Sequence, residues 1–596
     1  MKVIPRTVRP QVTALLLVIF SGIVSQAQND VAMRAMKDEL NRSISQLQLQ
    51  KMDKPYFIAY RLDDINQIEI SAMLGSLTGE QPSHVRLIGV EVRVGDYNLD
   101  NSNYVSMQGL AGGMGRMLGS IRQTPLDDDY RELRREFWLA TDSQYKTALE
   151  DISAKRAVLE NRKRSDDLPD FSKESPTSEA EAPANSAADT AQLKDLARDI
   201  SAEFTATPQI SSSSVEISYR NFYSRYANSE GTWFTRSQPL IKLQIHARTQ
   251  AADGMPISDF IEVYGKHPSD LPTKDILIAR TRALSARLVR LLATSALDHY
   301  NGPVLFEGDA AGEIFTQQFA TGLMAVRTPL SDDSRFDMFF NQMMSQLGGG
   351  SFLDKIGGRV LPTFLSVTDN PLLSQYKGVP LFGGNTIDDD GVKSRQTLLV
   401  DHGILKTLLA TRVPVRGVLH STGSRRGWGA TPSNLLITSD KPLTSAELRK
   451  ELLRLAKARG LDYAIVVRRV GGGAAGSFMK MAARMAQQGG QGSSSLAEVY
   501  KVYADGHEEP LPGMEIADMN ASAFKEISAV GDTPVVFTDE FMPRIGAFFS
   551  MGISASSNVP VVSCAVPPLL FEEISLVKTQ GPFPNPPISP SPLAQK

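Results

Sequence analysis

The chain has 596 residues, too many for one ordinary domain, and 42% of them are apolar, enough for full hydrophobic cores. A formal net charge of −3 offers no basic excess to release counterions from phosphates, which argues against nucleic-acid binding. A single cysteine, Cys564, excludes an intrachain disulfide framework and a cysteine-rich zinc site.

Lys2, Arg6 and Arg9 precede the apolar run Val12–Val24, and Ser25-Gln26-Ala27 places small residues at a cleavage site. Residues 1–27 are therefore expected to be a signal peptide, and the mature chain to be exported, periplasmic or secreted. No later segment is long and apolar enough to span a bilayer, so no membrane contact is expected after cleavage. Val31–Gln48 carries Met33, Met36, Leu40, Ile44 and Leu47 at helical spacing. Strands are predicted at Pro55–Arg61, Ile65–Gly75 and His84–Val94, followed by a glycine- and methionine-rich insertion at Met107–Leu118. A helix from Asp128 to Arg164 leads to a Ser-, Pro- and Glu-rich stretch, Ser172–Thr190, expected to be a mobile linker. Leu193–Phe204 reads as a helix, with strands at Ser214–Tyr226, Thr232–Thr235 and Leu240–Ala251, and a long amphipathic helix at Thr273–Tyr300. Near Asn301 the pattern changes to short strands and glycine-rich turns, which sets a boundary between domains at 28–300 and 301–578. The proline-rich residues 579–596 are expected to be disordered.

At that boundary lies Gly302–Ala325, a short apolar strand, the turn Glu307-Gly308-Asp309, and a helix with Ala311, Ile314, Phe315 and Phe319 on one stripe. Asp309 is placed to cap this helix, and an acidic group there suits the dipole. Asp309 and Glu313 share a helix face and, with Glu307, could hold a hard cation through oxygen ligands; a solvated helix start is the plainer alternative. Asp388-Asp389-Asp390-Gly391 lacks the alternating ligands and terminal Glu of a calcium loop and reads as a turn or a substrate-facing acidic loop. Gly471–Gly476 lacks a Walker lysine, and Met479, Met481 and Met485 after it suggest a loop or lid. Ser421–Arg426 could neutralise a peptide C-terminus or form a surface turn, His507-Glu508-Glu509 reads as a hairpin turn, and Cys564 as a packed core thiol.

Several segments together resemble the TldD/PmbA family of zinc metallopeptidases and their zinc-free partners, also named modulators of DNA gyrase. They are PYFIAYRLDD (55–64), RVGDYNLDNS (93–102), FWLATDSQYKTALEDISAKRAVLENR (137–162), DFS (170–172) and ANSEGT (227–232). After the boundary come GPVLFEGDAAGEIF (302–315), SFLDKIGGRVLP (351–362), GNTIDDDGV (384–392), LLVDHGILKTLLATR (398–412), HSTGSRRG (420–427) and VPPLLFEEISL (566–576). The resemblance implies an α+β protein: an N-terminal α/β domain with an antiparallel sheet and long helices, then a barrel-like antiparallel β domain. It also implies dimers enclosing a cavity.

Active members carry His-Glu-x-x-x-His at the start of the helix after the short strand, for zinc and a general base. Aligning the strands puts Glu307, Gly308 and Gly312 on the first His, the Glu and the second His. The expectation is a degenerate site without zinc or other cofactor, with Asp309, Glu313, Asp389 and Arg425 facing a substrate cavity. Three functions follow: a non-catalytic subunit or peptide-enclosing shell, a metallopeptidase whose ligands lie elsewhere, or a peptide-binding module using sheet edges. The partners expected are a second copy or a zinc-bearing relative, and peptides. An exported chain without a basic patch would not meet DNA gyrase.

Overall fold

A computed structural model of the protein describes residues 30–105, 121–162, 167–184, 189–333, 352–427, 429–471, 494–517, 519–541 and 559–580, with isolated positions at 335, 337–338, 583, 585–587, 589 and 591–594. The expected signal peptide, the Met107–Leu118 insertion and the methionine-rich stretch after Gly471 lie outside these residues.

Two long strands, β1 (Pro55–Met73) and β2 (Ser76–Val94), form a hairpin, and β5 (Ser212–Asn228) pairs with the other edge of β1. The strands predicted at Pro55–Arg61 and Ile65–Gly75 are thus one strand. Asp63 and Asp64 between them do not break it, because Arg61 pairs with Asp63 (2.8 Å) and Arg86 with Asp64 (2.6 Å). β3 (Ile121–Thr124), β4 (Ser178–Ala180), β6 (Trp233–Gln250) and β7 (Pro256–Gly265) complete a seven-stranded sheet in which β4 and β7 both pair with β6. Pro239 sits in β6 between those two partners, where its missing N–H removes no ladder bond on the outer side. β4 also corrects the expected mobile linker. Thr177 O accepts from Trp233 N (3.0 Å) and Thr235 O from Glu181 N (3.1 Å), so part of the Ser172–Thr190 stretch is docked by backbone pairing.

Four helices cover one face of this sheet. α1 (Val31–Gln46) and α2 (Tyr130–Asn161) pack on Ile58, Tyr60 and Leu62 of β1, and α3 (Thr190–Ala202) and α4 (Lys274–Leu291) on Ile70 and Ala72. These β1 positions share one parity and hence one side of the sheet. Asp30, Asp129 and Asp189 cap α1, α2 and α3 through their carboxylates. α4 stops nine residues short of the predicted Tyr300, because His299 onward is drawn into a C-terminal strand. Phe583 of the expected disordered tail packs against the α3–α4 core.

The C-terminal half contains a closed barrel of five strands. β8 (His299–Phe306) lies between β13 (Tyr463–Val470) and β20 (Leu569–Lys578); β16 (Met514–Ile516) and β14 (Ser494–Tyr503) follow, and β14 pairs back with β13. All pairings in the ring are antiparallel except β8 with β13. β15 (Glu508–Pro510) forms the predicted hairpin on β14, and β17 (Ile527–Val530) extends β20. A second, six-stranded sheet runs β11 (Ile404–Leu405), β10 (Thr397–Asp401), β9 (Leu365–Asp369), β12 (Asn434–Ser439), β19 (Val561–Val566) and β18 (Val535–Glu540). α5 (Asp309–Ile314) sits between the barrel and this sheet, and α6 (Ser445–Ala458) covers the barrel's outside. The main core joins Phe306, Ile314, Phe315, Phe319, Phe524 and Phe571, and Cys564 is fully buried in it.

The helix-free face of the N-terminal sheet receives the C-terminal half. Arg412, 1% exposed, reaches across: Nη1 and Nη2 bond Glu230 (2.6 and 2.8 Å), Nε and Nη2 bond Ser172 O, and the guanidinium lies 3.9 Å from the Phe171 ring centroid.

Candidate functional site

The strand–turn–helix corner predicted at Gly302–Ala325 forms where β8 leaves the barrel. Glu307 turns away from the inter-domain space into a ring of four charges. Arg468 Nε (2.8 Å) and Arg449 Nη2 (3.1 Å) both reach its Oε1, and both arginines also bond Glu508 at 3.0 Å. Gly308 occupies the N-cap with φ 61° and ψ −138°, a conformation that strains any residue with a Cβ. Asp309 is the first helical residue and makes no capping bond, contrary to the expectation; the positive φ leaves no place for a capping side chain. Its carboxylate faces Arg469 at 3.5 Å instead.

One turn on, Gly312 is packed against Phe537 of β18. A Cβ at Gly312 would lie 2.2 Å from the Phe537 Cβ and 2.7 Å from its Cγ. The position aligned with the second histidine therefore has no room for a side chain of any kind.

α5 faces a cleft of about 900 Å³ between the two halves of the chain. Asp309, Glu313, Arg469, Phe537 and Val536 line it from the C-terminal side, and Phe260, Glu262, Tyr264, Arg280 and Arg287 from the N-terminal side, with Leu381 and Phe382 at one edge. Glu313 is 3% exposed and accepts from Val470 N; burial pushes its carboxyl well above the usual range, and neighbouring Asp309 adds to that. Arg469 is held from the opposite half, by Asp259 (3.2 Å) and Phe260 O (2.7 Å). Arg287, from the same half as Asp259, bonds that carboxylate through Nε (2.7 Å) and steadies the group that Arg469 reaches across the cleft.

Asp309 and Glu313 thus line one space, whereas Glu307 lies outside it. The three do not converge as a cation site would require. Asp388–Gly391 is a turn: Asp388 accepts from Asp390 N and Val392 N at 2.9 Å, and Gly391 has φ 78°. Burial, with Asp390 alongside, raises the Asp388 pKa to about 8. Burial opposes ionisation of Asp389 as well, but Arg61 and Arg236 overcome it and hold that carboxyl well below the usual range. Asp389 lines a second, smaller space beside the cleft. Arg425 lines neither; it pairs with Asp390 at 3.0 Å.

Sequence reading missed Phe537, Arg469 and Arg236. The only signal was alternation: Arg468 and Arg469 are adjacent in one strand, so one faces the Glu307 ring and the other the cleft. All seven histidines are exposed. Among the described residues, no three of His, Cys, Asp or Glu converge on a point where a metal ion could sit.

Residues 301–578 match the family model of the PmbA/TldA metallopeptidase C-terminal domain. No curated protein matches the chain. Among solved structures, a candidate modulator of DNA gyrase from Thermotoga maritima superposes with a TM-score of 0.53 at 13% identity, covering 87% of this chain and 96% of that one. A second candidate modulator of DNA gyrase, from Bacteroides thetaiotaomicron, gives 0.53 at 13% identity, with 92% and 98% covered. TldE from Thermococcus kodakarensis gives 0.51 at 13% identity, with 91% and 100% covered. At such identity these likenesses establish the fold alone. The C-terminal half thus carries the PmbA/TldA metallopeptidase C-terminal domain, within a fold that the chain shares with these structures along most of its length.

Proposed function

We propose that this protein is an exported, non-catalytic member of the family, a folded shell that pairs with itself or a zinc-bearing relative and encloses peptides in the cleft beside α5. The observation that carries this reading is the pair of glycines at the motif positions. Zinc hydrolysis needs imidazole ligands, an open coordination position and a carboxylate base. Here the first ligand position holds Glu307, engaged by two arginines, and Gly308 has a backbone suited to glycine. At Gly312 the Phe537 ring fills the place of a ligand. The residues present do not fit zinc, and no hydrolytic step is assigned to them.

The test uses the purified mature protein, assayed for bound metal by mass spectrometry and for cleavage of unstructured peptides. The expected result is no stoichiometric zinc and no cleavage alone, with complexes formed on mixing with a relative that carries His-Glu-x-x-x-His. Stoichiometric zinc with chelator-sensitive cleavage by the protein alone would overturn the proposal.

A further inference from the structure

Beside the cleft lies a pocket of about 60 Å³, and Phe382 belongs to the walls of both. Arg220, Arg236, Arg426 and Asp389 supply its polar lining. This space exceeds what one water needs. Its charges are unevenly matched. Arg220 pairs with Glu540 at 2.7 Å. Asp389 serves Arg61 (3.4 Å), Arg236 and the backbone N–H of Gly427 (2.7 Å). Arg426, 6% exposed, makes no ion pair among the described residues, and its guanidinium donates to Pro432 O at 3.0 Å. Arg236, 7% exposed, bonds Ile387 O (2.8 Å) and Asp389, while its buried Nε has no partner.

A guanidinium withdrawn from water without a carboxylate in direct contact is costly, and burial lowers the Arg426 pKa to about 10 against the attraction of Asp389 and Asp369. Its planar fork matches a carboxylate bidentately, and a chain terminus is the carboxylate that every unmodified peptide carries. We propose that this pocket takes the C-terminal carboxylate of a peptide lying in the cleft, with Arg426 and the free Nε of Arg236 as donors. The inference rests on the reading of the cleft as a peptide enclosure and adds which end of the chain is held. It also moves the anion-binding role that Ser421–Arg426 suggested from Arg425, which is engaged by Asp390, to Arg426.

The experiment measures binding of an N-terminally labelled, unstructured decapeptide to the full mature chain by fluorescence anisotropy. The peptide is presented as free acid, as C-terminal amide, and as amide with a penultimate glutamate. The free acid is expected to bind about tenfold more tightly than either amide, and Arg426→Gln to narrow that gap to below about threefold. The contrast of acid and amide on the unaltered protein decides the question even if the variant does not fold. Equal affinity for acid and amide would overturn the inference and leave the enclosure reading standing. A glutamate amide as tight as the free acid would overturn the assignment to a chain terminus. Absence of binding in all three forms would overturn both readings.

Discussion

Replacing Gly312 with alanine sets two effects of opposite sign against each other. In a helix, Gly→Ala stabilises by about 0.8–1 kcal/mol, because glycine loses more backbone freedom on folding. At Gly312 the added methyl would lie 2.2 Å from the Phe537 Cβ, where ordinary contact begins at about 3.4 Å. Rotating the Phe537 ring does not move its Cβ, so α5 or β18 must shift by more than an ångström. Overpacking of this kind costs about 1–3 kcal/mol. Gly312→Ala is therefore expected to destabilise the protein by up to about 2 kcal/mol net. Phe537→Gly removes both atoms of the clash, and in that background the same substitution should stabilise by the helix-propensity amount. The coupling between the two sites should then equal the overpacking cost of about 1–3 kcal/mol, measured as a double-mutant cycle from urea unfolding followed by circular dichroism. If Gly312→Ala stabilises with Phe537 in place, the ring does not fill the ligand position, and the steric argument against zinc fails.

The triple substitution Glu307→His, Gly308→Glu, Gly312→His restores the motif in sequence, yet is expected to bind no stoichiometric zinc after dialysis; tight zinc by mass spectrometry would show that the corner adapts. Arg412→Gln leaves Glu230 and Ser172 O without their buried partner and should cost about 3–5 kcal/mol in urea unfolding; a loss below about 1 kcal/mol would mean the halves do not depend on it. Asp369, 1% exposed, has its pKa raised to about 7 by burial, against a Ser433 N–H at 2.8 Å that favours the charged form. A carboxyl raised on folding binds its proton more tightly in the folded state, so it costs no stability below pH 4 and progressively more as pH rises to 7. Asp369→Asn should therefore match the parent near pH 4 and exceed it by up to about 4 kcal/mol at pH 8; a difference that does not grow with pH would refute this. Glu313→Gln should show the same sign of pH dependence, since burial raises Glu313 as well.

How far the sequence reveals this molecule depends on the range of the interactions concerned. The helices on the N-terminal sheet were legible because their stripes and Asp caps are local, as at Asp129 before Tyr130. The merging of Pro55–Arg61 with Ile65–Gly75 was not, because Asp63-Asp64 is a polar interruption in sequence and becomes tolerable only when Arg86 and Arg225 arrive from neighbouring strands. The helix predicted to run to Tyr300 shows the same limit: its last residues are recruited by β20, with Tyr300 opposite Leu576.

At the candidate site the division falls within a single turn of helix. The absence of imidazoles at 307, 308 and 312 is plain in the sequence. The structure adds that at Gly312 no space is left for a side chain. A side chain deleted from a buried site leaves a cavity that lowers stability unless a neighbour fills it. Phe537, some 225 positions away, occupies the volume at Gly312, and the Arg449–Glu508–Arg468 ring neutralises Glu307. The polar groups on the cleft side find partners within the protein: Glu313, its pKa raised by burial, accepts from Val470 N, and Arg469 is tied to both halves. On the proposed function, a site packed this way holds a shape without a reaction. Metal content and cleavage therefore decide whether the cleft has a reaction, and the end that a peptide presents to Arg426 decides what its shape is for.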